Sequence, residues 1–150
     1  VPRRSIGPTD STARHGFRRT QFGATTMTTD YLVISRGKWD ADLKPEAIQV
    51  AIDRFYEWYE GHVATGVMLP GSRLAPETKL VTKRGIVDGP FAETKEVVGG
   101  YWFIRASSLD EAAKIAADNP CLACGLALEI RQLEPARATA FEFMTETPTA

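Results

Sequence analysis

Gly99-Gly100-Tyr101-Trp102-Phe103-Ile104, followed three residues later by Ser108-Leu109-Asp110-Glu111, is the stretch on which the fold turns. Four large apolar residues in succession after a glycine pair read as a strand that carries apolar side chains on both faces. Ser108 and Glu111 have the S-x-x-E spacing of a capping box, in which each side chain satisfies free backbone N–H groups at a helix start. Leu109, Ala112, Ala113 and Ala116 are the expected buried stripe of that helix, and Asn119-Pro120 ends it. Leu126, Leu128 and Ile130 then alternate with Glu129 and Arg131, the period-2 pattern of a half-buried strand.

The upstream half repeats the plan. Tyr31-Leu32-Val33-Ile34 is a strand, and Arg36-Gly37-Lys38 ends it. Pro45 suits a first helical turn, where its missing N–H has no partner to lose, and Glu46 sits well beside the positive helix end. Ile48, Ile52, Phe55, Tyr59 and Val63 form one apolar stripe on a helix of about 20 residues, with Gly66 at its exit. Thr78 to Thr82 reads as the next strand, Lys83-Arg84-Gly85 as a turn and Ile86-Val87 as a short return; Asp88-Gly89-Pro90-Phe91 breaks regular structure.

Strand, helix, strand, strand, helix, strand predicts an α+β ferredoxin-like βαββαβ sandwich. Two helices cover one face of a four-stranded sheet. The apolar runs at 31–34 and 101–104 therefore leave a second face to bury, for which a second subunit is the expected cover, giving a homodimer.

Composition agrees with one ordinary globular domain: 43% hydrophobic, 25% charged, 18 Lys+Arg against 19 Asp+Glu. The near-neutral balance argues against nucleic acid as a partner, and no apolar run approaches the ~20 residues that span a bilayer. Residues 1–26 hold five Arg against one Asp and no apolar periodicity, so they are expected to be a disordered or extraneous extension. The domain is expected over 27–135, with 136–150 as a tail.

Asp88-Gly89-Pro90-Phe91-Ala92-Glu93-Thr94-Lys95-Glu96, with Gly99-Gly100-Tyr101 after it, resembles the signature of the YCII-related family and specifically its D-G-P-F branch. Arg36-Gly37, Trp39-Asp40, Pro45-Glu46, Trp58, Ser108 to Ala112 and Glu129 to Arg131 extend the likeness across about residues 30–134. The resemblance implies a ferredoxin-like fold, dimers of the α+β barrel type that pack sheet on sheet, and no cofactor. It also implies a cytoplasmic bacterial protein working in a regulatory or sensing setting beside an extracytoplasmic-function sigma factor. Some relatives resemble small lyases or isomerases acting on ring compounds through a His on the first helix and an Asp near the central hairpin. Here Phe55 stands near the matching helix position, so that pair is not carried over. Lys44 replaces the Ser cap frequent in the family and is expected to weaken the helix start.

The candidate site follows from the loops that overhang the sheet ends. Arg36, Trp39, Asp88, Phe91 and Tyr101 are expected to line one pocket, with Glu93 and Lys95 as further polar contacts. Asp88 is the tentative catalytic base; its alternative is a turn closed by its own side chain. Arg36 is the expected partner of a ligand carboxylate or phosphate, because its planar fork binds two oxygens. Trp39 is expected either on the pocket rim or packed on the helix. His62 near a helix end reads as a dipole-stabilising imidazole, and no two His share a metal spacing. Cys121-Leu122-Ala123-Cys124 lacks the following helix of a redox motif and the second pair of a zinc site. A binding or regulatory module for a small polar or aromatic-acid ligand is the expected function, with a cofactor-free lyase or isomerase as the alternative.

Overall fold

The first helix shows how local signals become a fixed element. The computed structural model describes residues 27–89 and 97–149. Helix α1 spans Pro45–Ala64, and Lys44 at its N-cap makes no side-chain cap bond. Its exit is a Schellman turn: Val67 N–H donates to the His62 carbonyl at 3.0 Å and Gly66 N–H to Val63 at 3.1 Å. Gly66 takes the positive φ of 78° that this turn demands.

Strand β1 (Thr29–Arg36) precedes α1, and β2 (Met68–Arg73) follows it. A separate hairpin, β3 (Lys79–Thr82) and β4 (Gly85–Asp88), comes next; then β5 (Val98–Ala106), α2 (Leu109–Ala116), a short 3-10 turn (Pro120–Cys124) and β6 (Ala127–Gln132). The main sheet runs β2-β5-β1-β6 with antiparallel pairing throughout. That order, with a helix after its first and third strands, is the ferredoxin-like topology.

The strand at 79–82 and its return at 85–88 form where the sequence predicts them, but outside the main sheet, and one strand of that sheet is not read from the sequence. The second strand of the sheet is Met68–Arg73, and residues 79–88 form a two-stranded sheet of their own. Pro70 and Gly71 hid β2, yet both suit its place: an edge strand tolerates a residue without an N–H. At Gly71 the strand lies so close to β5 that an added Cβ would sit 1.9 Å from the Tyr101 carbonyl oxygen. The β2–β5 register slips between Leu69 and Ser72.

Alternation along β1 and β5 puts Tyr31, Val33, Trp102, Ile104 and Ala106 on the helix-facing side, buried with Met68, Ala112 and Ala116. The stripe of α2 is Ala112, Ile115 and Ala116; Ala113 and Leu109 face outward. Ser108 caps α2 by accepting from Glu111 N–H at 3.1 Å, and the Glu111 carboxylate accepts from Ser107 N–H at 2.7 Å. These bonds, led by that from the Ser107 hydroxyl, lower the Glu111 pKa. The opposite sheet face carries half-buried Leu32, Ile34, Leu69, Tyr101 and Phe103, as the two-sided apolar runs predict.

Candidate functional site

The sheet is thin at one end of its helix-facing side. Ser35 pairs with Gly100, Gly100 with Arg73, and Gly71 lies two residues before Arg73. Small residues there leave α1 standing off the sheet on its aromatic side chains, and a cleft of about 800 Å³ opens beneath the helix. Ser35, Gly71, Gly100 and Trp102 form its floor, and Ile52, Phe55, Tyr56 and Tyr59 of α1 its roof. Trp39 and Lys38, from the segment after β1, close one side with Asn119, Cys121 and Leu126. Arg73, at the end of β2, borders the other.

The roof is a connected aromatic cluster. Phe55 stacks on Tyr59 with centroids 5.6 Å apart, and both stand against Trp102, at 5.4 and 6.2 Å. The buried Trp102 indole N–H has no hydrogen-bond partner among the described residues. Tyr59 reaches from α1 to the sheet edge, where its hydroxyl accepts from Gly71 N–H at 3.3 Å. That bond satisfies an amide freed by the β2 irregularity and leaves the phenolic O–H to donate elsewhere. Trp39 is held by its neighbours: Asp40 N–H donates to the Cys124 carbonyl at 2.9 Å, tying the segment after β1 to the 3-10 turn. Asn119 caps that turn by accepting from Cys121 N–H at 2.8 Å.

The charge of the cleft is one-sided. Lys38 and Arg73 line it, and among the described lining residues there is no carboxylate and no imidazole. Cys121 is the one thiol on its wall among them, and its pKa is pushed up to about 11, first by burial and then by the neighbouring Cys124. It is therefore protonated at neutral pH, a poor nucleophile and a poor redox thiol. Among the described residues no group of His, Cys, Asp and Glu could hold a metal ion.

The structure distributes the sequence-predicted residues differently from the single pocket expected. Trp39 lines the cleft. Tyr101 borders it, but alternation turns its ring to the other sheet face, edge-on to Phe103 at 6.1 Å. Arg36 is also on that other face, where Nε donates to Glu129 at 2.5 Å; it does not line the cleft. Asp88 ends β4, three-quarters exposed, and pairs with its cross-strand neighbour Lys79 at 2.5 Å. It does not line the cleft; it borders a separate depression with Glu77, Thr78, Lys79 and Gly89. Phe91, Glu93 and Lys95 lie outside the described residues. Sequence reasoning missed Arg73 and the cleft-facing part of the α1 stripe as site residues. A glycine inside a strand is a signal of close approach or of space for a ligand, and Gly71 and Gly100 carry it here. His62 lies away from the cleft, edge-on to Trp58 at 5.3 Å.

A family model described as the YCII-related domain matches residues 30–135. The chain belongs to the YCII-related family. An uncharacterized protein of Rhizobium meliloti (strain 1021) is 43% identical over 63 residues, covering 38% of this chain and 51% of the relative. The chain thus spans about half the length of that curated relative. Two solved structures are similar in part. One is a 5-chloro-2-hydroxyhydroquinone dehydrochlorinase of Burkholderia phenoliruptrix AC1100 in complex with 2,5-dihydroxybenzoquinone. It is 18% identical, covering 71% of this chain and 94% of that one, with a TM-score of 0.38. The other is a dimeric ferredoxin-like protein of unknown function from Bacteroides fragilis NCTC 9343. It is 16% identical, covering 71% and 96%, with a TM-score of 0.33. No helix among the described residues is long and apolar enough to cross a membrane.

Proposed function

We propose that this YCII-related chain, of the D-G-P-F branch, works as a homodimeric binding module for a small ring compound bearing an acid group, in a regulatory or sensing role. The observation that carries this reading is the cleft under α1: aromatic walls, Lys38 and Arg73 at its margins, and no described carboxylate among its lining. An aromatic ring gains by replacing water against Trp39, Phe55, Tyr56 and Tyr59. Its acid group gains a charge-assisted bond from Arg73 or Lys38 that no carboxylate among the described lining residues competes for. Tyr59 retains a hydroxyl proton for a second oxygen on the ring.

Binding without turnover is favoured by the chemistry of the described lining residues. General acid–base work needs a group that titrates near neutrality within reach of the ligand. The described lining residues offer the phenols of Tyr56 and Tyr59, the cations Lys38 and Arg73 and a thiol held protonated, while the Tyr101 ring turns to the other sheet face. Phe55 stands near the α1 position where the relatives that resemble lyases or isomerases are expected to place a His. The homodimer is supported by the apolar sheet face that neither helix covers. An association with an extracytoplasmic-function sigma factor is the setting in which such a sensor acts.

A thermal-shift panel of benzoate, salicylate, benzamide, a γ-lactone and a sugar phosphate tests the reading. A ligand that binds only the folded state at a hundred times its Kd adds about 2.7 kcal/mol, enough to raise Tm by roughly 10 °C. Benzoate and salicylate are expected to raise it and benzamide not. Equal shifts with the neutral amide, or none with any member, refute the assignment.

A further inference from the structure

The two cations of the cleft stand on different parts of the sheet, and its register sets their spacing. Ser35, Gly100 and Arg73 are paired across β1, β5 and β2, so they form one row over the cleft floor. Gly100 lies two residues before Trp102 and so shares its helix-facing side; its direct partner Arg73 leaves β2 on that side too. Two strand spacings put Arg73 about 10 Å from Ser35. Three residues beyond Ser35, Lys38 lies on a segment that leads away from Arg73. Asp40 N–H ties that segment to Cys124, in the turn before β6, and β6 is on the side of β1 remote from β2. Arg36, Lys79, Arg105 and Arg131 each hold a carboxylate, whereas Lys38 and Arg73 form no ion pair among the described residues.

We propose that the cleft takes an elongated aromatic diacid, with one acid group on Arg73, the other on Lys38 and the ring system between them under α1. This rests on the ligand reading above and deepens it by naming the ligand class. A single acid group has a choice of two cations and leaves one of them unused. Two groups at opposite ends of a rigid aromatic spacer engage both. The space fits such a ligand: about 800 Å³ is near the upper end of the ~300–1,000 Å³ range of small-molecule sites, more than one ring with one acid group fills.

The surfaces between the cations suit the spacer. The middle of the row is Gly100, which puts no side chain between Arg73 and Ser35, and Phe55 and Tyr59 roof the path with aromatic rings. The planar fork of Arg73 takes both oxygens of one acid group, and the Lys38 ammonium meets the other as a point charge. Span, and not charge count, is therefore what the cleft selects: a dianion with adjacent acid groups reaches one cation only.

Isothermal titration calorimetry of the full chain tests the span. The probes are terephthalate and the para,para′-dicarboxylate of biphenyl, each beside its mono-amide, with benzoate as the single acid and phthalate as the dianion with adjacent groups. Both cations are exposed, so each bond is expected at the weak end of the charge-assisted range. At least one elongated diacid should still bind roughly tenfold more tightly than its own mono-amide and than phthalate. Arg73→Ala and Lys38→Ala should each abolish that advantage. Arg73→Gln and Lys38→Gln, which keep a polar side chain at the exposed position, should do the same. Diacids that bind no better than their mono-amides, or an advantage that survives either substitution, overturn the span and leave the single-acid reading standing on benzoate. An advantage shared by phthalate reports net charge alone and also overturns the span. If no acid binds, benzoate included, both readings fall.

Discussion

Gly71→Ala should damage the protein far more than one methyl group suggests. The added Cβ would stand 1.9 Å from the Tyr101 oxygen, 2.6 Å from its carbonyl carbon and 2.8 Å from Trp102 Cα. All three are backbone atoms of β5, so no side chain can swing aside. Relief requires β2 to retreat by on the order of 1 Å, and overpacking of this kind typically costs 1–3 kcal/mol. The retreat also stretches the Gly71 N–H bond to Tyr59, worth about 1 kcal/mol, and the β2–β5 pairing at Ser72 and Tyr101. A total of about 2–4 kcal/mol lowers Tm by roughly 10 °C or more in a domain of this size. Gly61→Ala is the internal control. It lies within α1 with nothing within 4 Å of the new Cβ, and should stabilise by about 0.5–1 kcal/mol. Paired thermal and urea melts read both. If Gly71→Ala stays within about 0.5 kcal/mol of wild type, the close β2–β5 approach that shapes the cleft floor is wrong.

Lys44→Ser should supply the cap that α1 lacks, since Lys44 already has the extended backbone of a cap residue, raising stability by about 1 kcal/mol in a urea melt. Glu111 is held below its ordinary pKa, so its contribution is complete above the unfolded carboxylate pKa and disappears as pH falls through the folded one. Glu111→Gln should therefore lower Tm at neutral pH and converge with wild type in acid; a constant difference across pH would contradict the assignment. At pH 8 iodoacetamide should label Cys124 well before Cys121, whose thiol is buried and titrates near pH 11, so mass spectrometry of equal labelling would contradict the buried wall of the cleft.

Five elements of the main sheet and its helices, and the β3–β4 hairpin beside them, are legible in the sequence for local reasons. β1, β5 and β6 carry dense or alternating apolar residues, α1 has its stripe and Gly66 exit, and α2 its capping box. β2 is not legible, because Met68-Leu69-Pro70-Gly71-Ser72-Arg73 has no pattern of its own; β5 defines it by pairing. The site inherits that gap. Arg73 could not be assigned to a cleft while its strand was unread. Arg36 has the fork chemistry of an anion site, but strand parity sends it to the face opposite Ser35, and Glu129 accepts its Nε–H there. Asp88 stands in the most distinctive motif, yet hairpin register gives it Lys79 as a partner. Trp39 was legible because the segment leaving a strand end overhangs the sheet whatever its parity.

The central claim is that the aromatic cleft under α1 selects an anion through Arg73 and Lys38. Trp39 and Trp102 line that cleft, so tryptophan fluorescence reports its occupancy. The deciding measurement is a fluorescence titration of wild type, Arg73→Ala and Lys38→Ala with benzoate and, separately, with its neutral isostere benzamide. A charge-assisted bond worth about 1.5–3 kcal/mol predicts that benzoate binds wild type roughly ten- to a hundredfold more tightly than benzamide, and that at least one variant loses that preference. Equal affinity for the two compounds, or a benzoate preference untouched by both substitutions, would contradict it.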